Sequence, residues 1–224
     1  MRNHNLIVGI LGLQGDVEEN VLQTKSALNF LGRKGEVRIV RRSEDVAGLS
    51  GLILPGGEST VISRLATINV DLFKKIGNAV SGGMPVLATC AGMIMLSTRA
   101  HDRVTGQTRQ KLLSLLNVVV ERNAFGRQKE SFEAEMEIPL LGKRPFRGIF
   151  IRAPIVSTKE YGVQTIAKIE SKVVAVKQDN IVATAFHPEL GSDNRFHVHL
   201  IRCASDFKAH PISMRGVGFE PTNP

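Results

Sequence analysis

Short apolar runs alternate with segments of helical spacing through the first hundred residues. Leu6 to Leu11 is continuously apolar, as strands buried on both faces are. The turn Gly12-Leu-Gln-Gly-Asp16 follows, with Asp16 placed to cap a helix whose Val17, Val21, Leu28 and Leu31 share one face. Gly32 and Gly35 end that segment, and Glu36 to Val40 reads as a second strand. Ser43-Glu-Asp45 opens a turn or short helix, and Gly51 to Leu54 is a third strand. Helical pattern returns at Val61 to Leu65 and at Asp71 to Ser81, where Gly82-Gly83 stops it. Met84 to Ala88 is then a buried strand leading to an apolar helix from about Ala91. Strand, helix, strand, connection, strand predicts an α/β chain with a mostly parallel sheet covered by helices on both faces.

The second half reads differently. Arg99 to Lys111 is polar without a clear period and reads as a surface loop. Val118 to Arg122 is strand-like, Asn123 to Gln128 is turn-rich, and Phe132 to Glu137 alternates as a strand with one wet face does. Phe146 to Ile151 is another strand, broken by Arg152-Ala-Pro154. Val173 to Lys177 and Ile181 to Ala185 form a hairpin, and Asp193 to Lys208 is a closing helix with Val198, Ile201, Cys203 and Phe207 as core candidates. One domain over residues 1–208 accounts for these elements. Residues 209–224 carry no pattern and read as a disordered tail. Its Gly218-Phe-Glu-Pro221 is what the T arm of a transfer RNA gene would encode, an expectation that the coding DNA tests.

Candidate chemistry begins at Thr89-Cys-Ala-Gly92. A residue on a sharp strand-to-helix turn is pushed out above the sheet edge, facing the amino end of the next helix, which is the geometry of a nucleophile elbow. Thiolates are the attacking form of cysteine, and helix starts favour them. The alternative is a small buried hydrophobe, as most free cysteines are. Pro55-Gly-Gly-Glu-Ser-Thr60 lies at the carboxyl end of the third strand, where ligands of such sheets collect, so its glycines either present N–H groups to an oxyanion or simply make a tight turn. Phe186-His-Pro-Glu-Leu190 follows the hairpin. In extended backbone His187 and Glu189 point to one side, a base with its orienting carboxylate.

Composition narrows the classes. The chain has 224 residues, 42% of them hydrophobic, enough for a sizeable core. Two cysteines far apart, without metal-ligand or redox spacing, argue against a disulfide framework and for a reducing cytoplasm. His197 and His199 would point to different faces of one helix, so no metal site and no cofactor is expected. The first apolar run is too short for a signal sequence or a membrane span. A net charge of +8 invites a nucleic-acid reading, but the basic residues are scattered, with one Tyr and no Trp to stack bases. A solvated surface or a face for an acidic partner explains the charge as well.

Together, Leu11-Gly-Leu-Gln-Gly15, Leu54-Pro-Gly-Gly-Glu-Ser-Thr60, Thr89-Cys-Ala-Gly92, Val120-Glu-Arg-Asn-Ala-Phe-Gly-Arg-Gln128, Phe150-Ile-Arg-Ala-Pro154 and Phe186-His-Pro-Glu-Leu190 resemble the class I glutaminase subunit of pyridoxal phosphate synthase. The resemblance spans about Leu6 to Lys208 and implies a three-layer, flavodoxin-like amidotransferase fold. It implies a triad of Cys90, His187 and Glu189, and a glutamine site lined by Gly57, Glu58, Ser59, Arg122, Ile151 and Arg152. The amides of Gly57 and Ala91 would receive the oxyanion, and either arginine suits the α-carboxylate of glutamine. Gln14 resembles a family residue near the subunit interface that helps switch the glutaminase on. The partner implied is the barrel-shaped synthase subunit in a large hetero-oligomer, with no nucleic acid and no membrane. Ala88 departs from the glycine common two residues before the nucleophile.

Overall fold

A computed structural model describes residues 6–102, 106–108, 110–125 and 131–207, with Gln107 described by its backbone alone. The expected tail, the last residue of the expected domain, and Arg127 and Gln128 of the arginine-bearing turn lie outside the described residues. The elements in order are β1 (Leu6–Leu11), α1 (Val17–Phe30), β2 (Gly35–Val40), a 3-10 turn (Ser43–Val46), β3 (Gly51–Leu54), α2 (Ser59–Ile68), α3 (Val70–Ser81), β4 (Val86–Thr89) and α4 (Ala91–Leu96). There follow β5 (Ser97–Asp102), β6 (Gly106–Gln107), β7 (Leu116–Arg122), β8 (Ser131–Met136), β9 (Phe146–Ile151), β10 (Ile155–Lys159), β11 (Gln164–Ile169), β12 (Lys172–Gln178), β13 (Ile181–Thr184) and α5 (Arg195–Asp206).

Among the described residues the main sheet runs β2-β1-β3-β4-β13-β12-β10-β7-β5-β6, with β11 added on β12. From β2 to β13 every pairing is parallel, and from β13 to β7 every pairing is antiparallel. β8 and β9 make a separate antiparallel pair. The chain leaves β1 first toward β2 and later toward β3 and β4. Right-handed crossovers in opposite directions put their helices on opposite faces. α1 packs on α5, while α2 packs on α3 and α4. The parallel strands β3, β4 and β13 are buried at every position, which is why their sequence carries no alternation.

Three sequence expectations change. Part of the expected loop from Arg99 is strand: β5 pairs in parallel with β7 and antiparallel with β6. Backbone pairing at the sheet's edge does not need the apolar pattern that sequence reading relies on. The buried stripe of α1 is Asn20, Thr24, Ala27 and Leu28, whereas Val17, Val21 and Leu31 are only partly buried. Polar residues can line this face because each is hydrogen-bonded. Thr24 Oγ1 donates to the Asn20 carbonyl at 2.7 Å, and Asn20 Nδ2 donates to the Asp16 carbonyl at 2.7 Å. Cys203 and Phe207 are half-buried rather than core.

Two glycines show opposite physics. A side chain at Gly92 would strike the Leu54 backbone carbonyl, so the missing Cβ is what lets α4 lie against β3. Gly77, inside α3, has open space around its would-be Cβ and no positive φ. Gly77→Ala is therefore expected to stabilise the fold by about 0.5–1 kcal/mol, read as a raised midpoint in urea unfolding.

Candidate active site

Cys90 sits between β4 and α4 with φ 47° and ψ −101°. Such a conformation costs an L-residue on the order of 1–3 kcal/mol. Neighbouring strands impose it. β4 pairs with β13 in the register Ala88↔Ala183 and Thr89↔Thr184, and the Cys90 N–H donates to the Thr184 carbonyl at 2.8 Å. That amide is thus committed to the sheet. Ala91 begins the helix, where an N–H has no intrahelical acceptor. Ala88 is fully buried between Leu54 and Ala183, so the methyl in place of the family's glycine is accommodated as core.

His187 follows β13 and is fixed by its N–H to the Ile149 carbonyl at 2.8 Å. The expected extended link to Glu189 is absent: Pro188–Leu190 forms a one-turn 3-10 helix with proline at its start. The two side chains still meet, His187 Nδ1 lying 2.9 Å from Glu189 Oε1. Thr89 Oγ1 donates to the same carboxylate oxygen at 3.3 Å, while Glu189 Oε2 is buried without a hydrogen-bond partner. Nδ1 also lies 3.0 Å from Asp16 Oδ2. Cys90 also favours the protonated imidazole, and because Nδ1 faces the carboxylates, Nε2 is the nitrogen left toward the sulfur.

Burial opposes charge on the imidazole, but its interactions with Asp16, Cys90 and Glu189 outweigh it, and the His187 pKa is pushed up to about 12. Burial raises Glu189 against the pull of His187. Asp16 is lowered, chiefly by its hydrogen bond with His187. At neutral pH the site holds an imidazolium facing a cysteine. Asp16, His187 and Glu189 are also the group among the described residues whose ligand atoms are close enough to share a cation, all within 4.8 Å. Nδ1 lies within hydrogen-bond distance of both carboxylates, so a protonated His187 would itself supply the positive charge there.

The other expected residues form a polar rim. Gly57 adopts φ 151° and packs against the Gln14 side chain, whose Oε1 accepts the Glu58 N–H at 2.8 Å. Glu58 Oε1 accepts from Thr60 Oγ1 at 2.7 Å and pairs with Arg122 at 3.5 Å. The Thr60 hydrogen bond, then the charges of Arg122 and Arg152, hold its carboxyl below the usual range against burial. Ser59 is buried, accepting from Gln110 Nε2 at 3.1 Å. Ile151 and Arg152 stay exposed at the end of β9, with Arg152 at φ 42°. Thus Glu58, Arg122 and Arg152 share one field, whereas Ser59 and Ile151 make no part of that charge cluster.

Sequence reading missed Thr89 and saw Asp16 only as a helix cap. Asp16 holds the cap position, yet its side chain makes no capping bond and turns to His187. The available signal was its place just after β1, beside the crevice at the strands' carboxyl ends. His197, weighed in the sequence only as half of a metal pair, is fully buried: its Nε2 bonds Asn20 Oδ1 at 3.1 Å and its Nδ1 has no partner. Burial pushes its pKa down to about 3.

The two histidines give stability opposite pH slopes. His197 contributes fully above about pH 6.5, the unfolded value, and its contribution is lost as pH falls toward 3. His187 contributes fully below about 6.5 and its contribution is lost as pH rises toward 12. Each slope is at most about 1.4 kcal/mol per pH unit. Their summed contribution peaks near the shared unfolded value, and His197→Gln is expected to flatten the acid side of a plot of thermal midpoint against pH while leaving the alkaline side in place.

Comparison with known proteins agrees with this architecture. Residues 10–206 match the model of the SNO glutamine amidotransferase family. The chain is 42% identical over 201 residues to the pyridoxal 5'-phosphate synthase subunit PdxT of Nitrosopumilus maritimus, covering 90% of this chain and 98% of that one. It is 47% identical over 199 residues to the protein of the same description from Thermococcus kodakarensis, covering 88% and 98%. A crystal structure described as a glutamine amidotransferase superposes with a TM-score of 0.76 at 40% identity, over 88% of this chain and 98% of that one. PurLQS of Thermotoga maritima, at 11% identity and a TM-score of 0.63 over 90% and 98%, shares the fold. With the family model matched over nearly the whole described chain, and with two such relatives matched almost end to end, this chain belongs to the SNO glutamine amidotransferase family.

Proposed function

We propose that this chain hydrolyses L-glutamine to L-glutamate and ammonia through a thioester on Cys90, and supplies the ammonia to a synthase subunit that makes pyridoxal 5'-phosphate. The observation that carries the chemistry is a cysteine held at positive φ on an elbow, beside an imidazole whose Nδ1 is anchored by carboxylate.

The thiolate sulfur attacks the side-chain carboxamide carbon, and the amides of Gly57 and Ala91 receive the oxyanion, each such donor typically worth about 10² to 10³ in rate. The His187 imidazolium gives its Nε2 proton to the departing nitrogen, the C–N bond breaks, and ammonia leaves a γ-glutamyl thioester. Neutral His187 then takes a proton from water, the hydroxide attacks the thioester, and the C–S bond breaks to return thiolate and release glutamate. Glu189 holds the ring throughout. Glu58 suits the α-ammonium of glutamine, Arg122 or Arg152 its α-carboxylate, and Ser59 and Ile151 complete the wall. No cofactor takes part.

The names of the PdxT relatives support a synthase partner; we take it to be a PdxS-type subunit and the assembly to be a large hetero-oligomer in the cytoplasm. Gln14 lies where docking could act: while its Oε1 holds the Glu58 N–H, the Gly57 turn is fixed, and releasing that bond would free the peptide. Ammonia release from glutamine, measured with and without the purified synthase subunit, tests the reading. Stimulation by that subunit is expected; turnover indifferent to it assigns the glutaminase to another acceptor.

A further inference from the structure

We propose that Asp16 is a positioning residue for this chemistry: it shares the Nδ1 proton of His187 with Glu189, so that the imidazole is steadied by two carboxylates rather than one. The proposal rests on the glutaminase reading for its catalytic meaning and on geometry for its substance. The two oxygens lie at 3.0 and 2.9 Å from one nitrogen, and that nitrogen has a single hydrogen to give. They differ in kind. Glu189 is enclosed, whereas the Asp16 side chain keeps about a third of its surface in solvent and stays ionised more easily.

The placement of Asp16 is built rather than incidental. Its N–H donates to the Gly56 carbonyl at 3.2 Å, and its own carbonyl accepts from Asn20, which His197 holds in turn. Gly56 has no side chain to part them: a Cβ there would collide with both the imidazole ring and Asp16 Oδ2. Capping residues at helix starts usually bond a first-turn amide through the side chain, a bond Asp16 forgoes to reach the ring. The titratable groups that face the imidazole are Asp16 from the β1–α1 turn, Cys90 from the elbow and Glu189 from the 3-10 turn.

A carboxylate beside an imidazolium holds its proton, so taking one away lets the proton go at lower pH. The test follows the ring nitrogens of His187 by 15N NMR in the full chain, from about pH 6 to about pH 12, so that the window runs from the ordinary histidine value up to the raised one. Wild type is expected to remain imidazolium further into the alkaline range than Asp16→Asn, by at least about one pH unit, a tenfold change in proton affinity. Asp16→Glu, which keeps the charge, is expected to titrate with wild type. In the presence of the synthase subunit, Asp16→Asn is expected to bring down the alkaline limb of kcat/KM by the same interval and to lower kcat more than it raises KM. Superimposable titrations of wild type and Asp16→Asn overturn the proposal, as does an Asp16→Glu profile that follows Asp16→Asn. NMR needs no turnover, so a wild-type chain that releases no ammonia sinks the glutaminase reading without touching this result.

Discussion

Cys90→Ala is expected to lower ammonia release from glutamine by at least about 10⁴-fold in the presence of the synthase subunit, because members of a nucleophile–base unit fail together rather than in shares. Its fold should persist. The side chain is small, and the elbow is fixed by backbone, through the Cys90 N–H on Thr184 and the β4–β13 register. Alanine inherits the positive φ, so it leaves the strain in place. Cys90→Gly should be equally inactive yet more stable than Cys90→Ala by about 1–3 kcal/mol, since glycine adopts that conformation without penalty. Paired steady-state ammonia assays and thermal melts of the two variants check both halves. Retained turnover in either variant removes the nucleophile assignment.

Gly56→Ala carries the second large effect, and through crowding rather than lost chemistry. The added methyl would fall onto His187 Cε1 and Nδ1 and onto Asp16 Oδ2, in a cage already closed by the Ile149 carbonyl above the His187 amide. A ring shifted by even about 1 Å misaligns the proton transfer, which typically costs about 10²-fold in rate. We expect kcat to fall by about 10² to 10³, with a change in thermal midpoint small beside that of Gly92→Ala, whose methyl meets backbone instead of a side chain. Ammonia assays alongside melts of Gly56→Ala, Gly92→Ala and the spacious Gly77→Ala separate lost alignment from lost folding.

How far the chain could be read from its residues depends on which forces wrote each part. β1, β3 and β4 are buried strands of the parallel half of the sheet, and the Leu, Ile and Val of β1 and β3, with the apolar approach to Thr89 in β4, made them plain. β5 was hidden because its mixture of Ser, Thr, Arg, His and Asp is held by ladder hydrogen bonds, which leave no trace in hydropathy. β10 and β11 escaped for the same reason: short strands of mixed polarity in the antiparallel half take their place from pairing with β7 and β12. At the site, the meeting of His187 and Glu189 was expected on an extended link, whereas a 3-10 turn brings it about, and the elbow at Cys90 was legible from its small neighbours. Asp16 was not, because a helix-start aspartate has a ready local explanation, and only three dimensions show that its carboxylate has left the helix for a histidine beyond β13.

The hydrogen bond from Cys90 to Thr184 has a consequence for the order in which the molecule matures. Thr89 and Glu189 are separated by 100 residues, so the nucleophile's strand emerges from the ribosome long before the hairpin that seats it. On the roles proposed for Cys90, His187 and Glu189, a nascent chain holds its thiol before the base and the anchoring acid have been made, and glutamine hydrolysis waits for residues that follow β13.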